Sequence, residues 1–173
     1  NLDTVLDEDY RHPIPMGITG IDKLLKGGLA KGEIGVILAP TGVGKTTVLC
    51  KIANTAFNMG YNVLQIFFED NPKIIQRKHF TMWTGIAPDD LSNHREVVIE
   101  KVKEIKLNTK NTLTLKKMPS DTMTMNQIKN QVRKMMAEGN KINMIIIDYI
   151  DCCGIYWTVF EPIYWRNRGD NIN

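Results

Sequence analysis

An α/β fold is what this sequence predicts, on three observations. A short apolar run, residues 34–38, leads into a glycine-rich loop ending in Lys45 and Thr46, and that loop opens an apolar-faced helix. A second apolar run, residues 143–147, delivers an aspartate, Asp148, 103 residues after Lys45. Between the two, short apolar or alternating runs trade places with helical periods, the pattern of strands and helices built into one sheet-centred core. At 173 residues the chain fits one domain with a real core.

Composition narrows the class. With 43% hydrophobic and 24% charged residues the chain is near the globular average, which excludes wholesale disorder. A formal charge of +3 is no nucleic-acid signature by itself. No run of 18 apolar residues exists to form a transmembrane helix, so no membrane partner is expected. Residues 1–9 carry four acids and no base, the reverse of a secretory signal. Cys50, Cys152 and Cys153 form neither a disulfide framework nor a zinc spacing. The expected compartment is therefore reducing and cytoplasmic.

Residues 1–16, acidic and then bearing Pro13 and Pro15, read as an extended lead-in or N-terminal arm outside the core. Ile21, Leu24 and Leu25 share one face of a short helix that Gly27 and Gly28 end. Lys31, Gly32 and Glu33 make a turn, and residues 34–38 then read as a strand covered on both faces.

The loop that follows is Ala39, Pro40, Thr41, Gly42, Val43, Gly44, Lys45, Thr46, with Thr47 next to it. Gly42 and Gly44 let successive N–H groups point inward, a nest for phosphate oxygens. Lys45 adds a positive charge over the β- and γ-phosphates, and the Thr46 hydroxyl can ligate Mg²⁺. The following helix turns its positive end on the same phosphates. The motif usually begins with Gly, and Ala39 is a minor departure. A chance Gly-Lys-Thr would lack this strand–loop–helix context. Val48, Leu49, Ile52, Ala53, Ala56 and Phe57 keep the helix's apolar face, Gly60 caps it, and Cys50 is expected to be packed rather than reactive.

Residues 62–68 read as a second strand ending at Glu69. In a parallel α/β sheet this end faces the ligand, where a carboxylate could deprotonate a water. An ordinary acidic residue at a strand end fits position alone equally well. Residues 73–83 look helical, with Ile74, Ile75, Lys78 and Met82 along one side. Their bases, Lys73, Arg77 and Lys78, read as a solvated face, and His79 has no partner at metal spacing. Asp89 and Asp90 begin a helix to about Ile105. Six lysines and one acid between residues 101 and 117 read as solvated surface, with an anionic-partner patch the less frequent alternative. Residues 112–118 alternate as a third strand. Thr124 and Gln127 form a capping box, and Met125, Ile128, Val132, Met135 and Met136 mark a helix face that Gly139 closes. Asp148, at the end of its run, can hold Mg²⁺, usually through water.

Taken in order, residues 19–29, the phosphate loop, residues 67–70 and residues 145–150 resemble the RecA-like ATPases, specifically the DnaB-type replicative helicases, many of them phage-encoded. Tyr149 after Asp148 is more typical of the DnaB type than of recombinases. The resemblance covers about residues 17–151 and implies a mostly parallel sheet with helices on both faces. It requires that at least one of the two middle strands lie between the loop strand and the Asp148 strand. It also implies ATP hydrolysis with Mg²⁺, Glu69 as the water-activating carboxylate, and a homo-oligomeric six-membered ring around single-stranded DNA. Residues 152–173 hold an aromatic tail unlike the family's DNA loops, sensor strand and arginine finger. Arg166 and Arg168 are finger candidates by type alone. That tail reads as a genuine ending, a partner segment or a truncation, and truncation is the expectation. The chain as given is thus expected to bind Mg·ATP, hydrolyse it slowly and respond little to DNA. The rival readings are a recombinase- or clock-type ATPase and a nucleotide-binding regulator or remnant.

Overall fold

Backbone pairing decides which apolar runs become strands. The computed structural model describes residues 11–119 and 123–148. Tyr149, Cys152, Cys153, Arg166, Arg168 and the aromatic tail lie outside them, as do residues 1–10. The described elements, in order, are α1 (Thr19–Leu24), α2 (Lys45–Asn58), β1 (Val63–Phe67), α3 (Pro72–Thr84), a 3-10 turn (Pro88–Asp90), α4 (Arg95–Asn108), β2 (Leu113–Lys117), α5 (Met125–Ala137) and β3 (Met144–Asp148).

The three strands form one parallel sheet in the order β2-β1-β3. Val63, Leu64, Gln65, Ile66 and Phe67 are all buried, as expected of a central strand with helices on both faces. Side-chain alternation sorts its neighbours. Val63 packs with Ile52, Ala53, Ala56 and Phe57 of α2, and Phe67 with Cys50 and Ile75 of α2 and α3. Leu64 and Ile66 point the other way, onto Ile128 and Val132 of α5. The register carries the same parity across the sheet, since Ile146 lies opposite Gln65 and joins the α2 side, while Ile147 lies opposite Ile66 and joins the α5 side.

The helix ends follow local chemistry. Asn71 accepts from the Lys73 N–H at the start of α3, with Pro72 in the first turn, and Gly85 ends the helix at φ 75°. Thr124 and Gln127 form the expected capping box on α5. The helix expected from Asp89 is split, the two aspartates lying in the 3-10 turn and the α-helix starting at Arg95.

Residues 34–38 correct the expectation of a doubly covered strand. Ile34, Val36 and Leu38 are exposed, Leu38 to 91%, while Ile37 packs against the α2 core. Residues 34–36 and Leu38 are all exposed, and within the run only Ile37 is partly covered. Among the described residues no strand pairs with the segment, and without a ladder partner an apolar run does not become a strand. In the described sheet β1 lies directly beside β3, and β2 lies beyond β1. With residues 34–38 outside that sheet, the expected place of a middle strand between them and the Asp148 strand has no counterpart in it.

From Arg11 on, the lead-in is joined to the core. Ile14 pairs with Leu29 in an antiparallel bridge, and Met16 is only 6% exposed. The Asp22 carboxylate accepts from the N–H groups of Met16 (2.7 Å), Gly17 (2.9 Å) and Ile18 (3.2 Å). Arg11 donates to both oxygens of Glu33, at 3.0 and 2.6 Å, and to the Leu25 carbonyl at 3.0 Å. Within α1 the expected apolar face is only partly used, because Leu25 packs on the core while Leu24 is 84% exposed.

Candidate functional site

The site begins where backbone conformation demands glycine. Gly42 and Gly44 have φ of 84° and 95°, and a Cβ on either would meet nothing within 4 Å. Glycine is thus required there by the left-handed backbone, not by crowding, and the space in front of the loop is open to an anion. Gly44 is the N-cap of α2 without a side-chain cap, and the Val48 N–H is the one that returns to its carbonyl, at 3.0 Å. Helix geometry leaves the amides of Lys45, Thr46 and Thr47 outside the intrahelical ladder, at the positive end of the helix dipole.

An open cleft of about 360 Å³ lies before them. Thr41, Gly42 and Gly44 contribute from the loop, and Lys45, Thr46 and Thr47 from the first turn of α2. Phe67, Glu69 and Asp70 come from the end of β1, Asp148 from the end of β3, and Ile74 and Lys78 from α3. Ala39, Pro40 and Val43 lie outside the lining, so the expected set is brought together except at those three positions.

Sheet register explains the convergence. Asp148 pairs with Phe67, which faces α2 and α3, so the carboxylate reaches the same side as the loop. Parallel strands end together, so Glu69, two residues past Phe67, arrives at the same mouth. Asp148 is 6% exposed. Burial pushes its carboxyl above the ordinary range, and the hydrogen bond with the Thr46 hydroxyl pulls it back. The Asp70 and Glu69 charges raise it and Lys45 lowers it. Thr46 and Asp148 thus meet as a pair of hard oxygen donors, a set that suits Mg²⁺. Among the described residues no three His, Cys, Asp or Glu side chains converge to hold a metal by themselves. That is compatible with a cation shared between one or two protein oxygens and substrate phosphates.

Beneath the cleft lies a polar network that no sequence motif signals. His79 is 1% exposed. The Asn54 amide donates to its Nδ1 at 2.7 Å and to the Cys50 carbonyl at 3.0 Å. With Nδ1 accepting, Nε2 carries the hydrogen and donates to Gln65 Oε1 at 3.0 Å. Gln65 Nε2 in turn donates to Cys50 Sγ at 3.4 Å. The network ties α2, β1 and α3 together, and burial alone holds the imidazole at a pKa of about 4. Burial likewise pushes the Cys50 thiol up, which makes it the packed rather than reactive cysteine that was expected.

Two further lysines, not placed there by the sequence pattern, reach the site. Lys117, at the end of β2, donates to the carbonyls of Glu69 and Asp70, both at 2.8 Å. Lys78 Nζ donates to Thr47 Oγ1 at 3.0 Å and lines the cleft, contrary to the solvated face expected of the α3 bases. Its place at helical spacing from Ile74 on the mainly apolar side of α3 was the available signal.

Among the described residues no helix is long and apolar enough to cross a membrane. A DnaB-like replicative helicase of Enterobacteria phage T4 is 26% identical over 145 residues, 81% of this chain and 30% of that protein. The DNA repair protein RadA of Mycolicibacterium smegmatis is 31% identical over 68 residues, 39% of this chain and 15% of that protein. The chain therefore spans less than a third of either relative. Two solved structures share the fold. One is the ATPase domain of G40P, with a TM-score of 0.68 and 16% identity over 88% of this chain and 55% of that one. The other is a DnaB-like replicative helicase described with its interactions with primase, with a TM-score of 0.69 and 17% identity over 92% and 40%. The family model for the DnaB-like helicase C-terminal domain matches residues 13–155, most of the chain, and the chain belongs to that family.

Proposed function

We propose that this chain is the ATP-binding and ATP-hydrolysing core of a replicative DNA helicase. The observation that carries the reading is the meeting of Lys45, Thr46, Glu69 and Asp148 in one cleft at the carboxyl ends of parallel strands. ATP is the substrate that this arrangement fits. The loop amides and Lys45 hold its β- and γ-phosphates. Thr46 and Asp148 would hold Mg²⁺. When bound, that cation offsets phosphate charge. Glu69 accepts the proton of the attacking water, which Asp148, engaged with Thr46, is placed less well to do. Lys117 fixes the backbone that carries Glu69.

Beyond the cleft, single-stranded DNA and other copies of the chain in a ring are the proposed partners. They rest on family membership. The ATPase core is proposed to run to residue 151 and to include residues 13–16 as well, because Ile14 and Met16 pack into it. Steady-state ATP hydrolysis with and without single-stranded DNA tests the proposal. Mg²⁺-dependent turnover above background is the expected result. Binding without turnover at saturating Mg·ATP would overturn the enzymatic reading and leave a nucleotide-binding regulator.

A further inference from the structure

We infer that Lys78 is a second phosphate-binding cation of the cleft, contributed by α3 and acting beside Lys45 on the triphosphate of the nucleotide. The inference rests on the nucleotide reading of the cleft and adds a residue outside the loop motif.

Three observations support it. The first is aim. Ile75 and His79 are buried against β1 and α2, and the two hydrogen bonds of His79 fix the rotation of α3. The neighbouring ridge, Ile74 and Lys78, is thereby turned to the cleft, and both residues line it. The second is reach. Lys78 Nζ lies 3.0 Å from Thr47 Oγ1, in the first turn of α2, where the helix amides also point. A phosphate oxygen bound by that turn comes within range of the ammonium with little movement of the side chain. Lys78 differs in this from the other bases of α3, since Arg77 donates to the Pro88 carbonyl and Lys73 is exposed outside the lining.

The third is charge. The lining residues include two cations, Lys45 and Lys78, against three carboxylates, Glu69, Asp70 and Asp148. A polyanion enters such a cleft only against repulsion from those carboxylates, and Lys78 supplies half of the positive side chains that offset it. A lysine, a compact charge on a flexible stem, suits a phosphate whose position shifts between the states of the nucleotide.

Isothermal calorimetry of the 173-residue chain with Mg·ATP tests the inference on wild type, Lys78→Met, Lys78→Arg and Lys45→Ala at two salt concentrations. The methionine keeps the stem and removes the charge. Lys78→Met is expected to weaken ATP binding about 10- to 100-fold, as for a lost charge-assisted hydrogen bond. Its remaining affinity should be less sensitive to salt than that of wild type. Lys78→Arg is expected to stay within about threefold of wild type, because the charge is kept. Wild-type affinity in Lys78→Met alongside a loss in Lys45→Ala would overturn this inference alone. A loss in Lys78→Met with unchanged salt sensitivity would also overturn it, by making Lys78 a brace for Thr47. Wild-type affinity in Lys45→Ala would overturn the reading of the cleft itself.

Discussion

Acidifying the protein should load a proton onto a histidine that has no place for one. His79 is sealed between α2, β1 and α3, its Nδ1 accepts from the Asn54 amide, and burial holds its pKa at about 4 against an ordinary 6.5. A protonated Nδ1 would face the N–H of Asn54 donor to donor. The folded state therefore binds this proton more weakly than the unfolded state, and stability falls as pH drops through the window between 6.5 and 4. Every tenfold by which folding weakens the proton's binding is worth about 1.4 kcal/mol. The expected cost relative to pH 7 is roughly 2 kcal/mol at pH 5 and about 3 kcal/mol near pH 4, a large part of the net stability of a domain. Other groups titrate nearby in pH. Asp148, with its raised pKa, acts with the opposite sign, and Glu33, lowered by the Arg11 hydrogen bond, loses its contribution only as pH falls below 4.5. Comparison with His79→Gln removes both, because that side chain does not titrate and the other groups are common to the two proteins. Urea unfolding at pH 7, 6, 5 and 4 should show the variant less stable at pH 7 and the gap closing as pH falls. Parallel stability profiles from pH 7 to 5 would refute the assignment of His79 as a buried neutral donor to Gln65.

Other perturbations probe the site and its support. Glu69→Gln should keep ATP affinity and lower steady-state hydrolysis about 10²- to 10⁴-fold, since an amide does not accept the water's proton; equal turnover would move the base elsewhere. Lys117→Met removes two hydrogen bonds from the turn carrying Glu69. It should lower kcat about 10- to 100-fold through misplacement of the carboxylate, with KM little changed and Lys117→Arg partly restoring the rate; an unchanged kcat would show that the turn holds itself. Gly28→Ala would place a Cβ 2.1 Å from the Ile14 carbonyl oxygen at φ +125°. It should cost at least about 1–3 kcal/mol in thermal unfolding, and a wild-type melting temperature would mean that residues 11–16 do not dock on the core as described.

How far the sequence could be read follows from which interactions are local. The α2 and α5 faces, the Thr124 capping box and the strand within residues 62–68 depend on sequence pattern and neighbouring side chains, and each is found where that pattern puts it. Glu69 and Asp148 were legible as strand ends. Their meeting depends on the register that pairs Asp148 with Phe67, which no spacing encodes. The segment 34–38 shows the converse: its composition is that of a strand, but a strand is a property of two chains in register, and the partner is not written in the run itself. Lys78, Lys117 and His79 escaped for a similar reason. A lysine in a helix or at a strand end has the same local pattern whether it meets water, a carbonyl or a phosphate, and a lone histidine matches no ligand spacing. The packing of α3 against Gln65 and Asn54 gives Lys78 and His79 their surroundings, and the pairing of β2 with β1 gives Lys117 its own.

The central claim is that the cleft between α2, β1 and β3 is a triphosphate site held by Lys45. Direct calorimetric titration of wild type and Lys45→Ala with ATP in the presence of Mg²⁺ measures this most simply. The expected result is saturable one-site binding by wild type and a loss of about 2–4 kcal/mol in the variant, the size of a charge pair broken in a partly buried site. Equal affinity in the two proteins would contradict it.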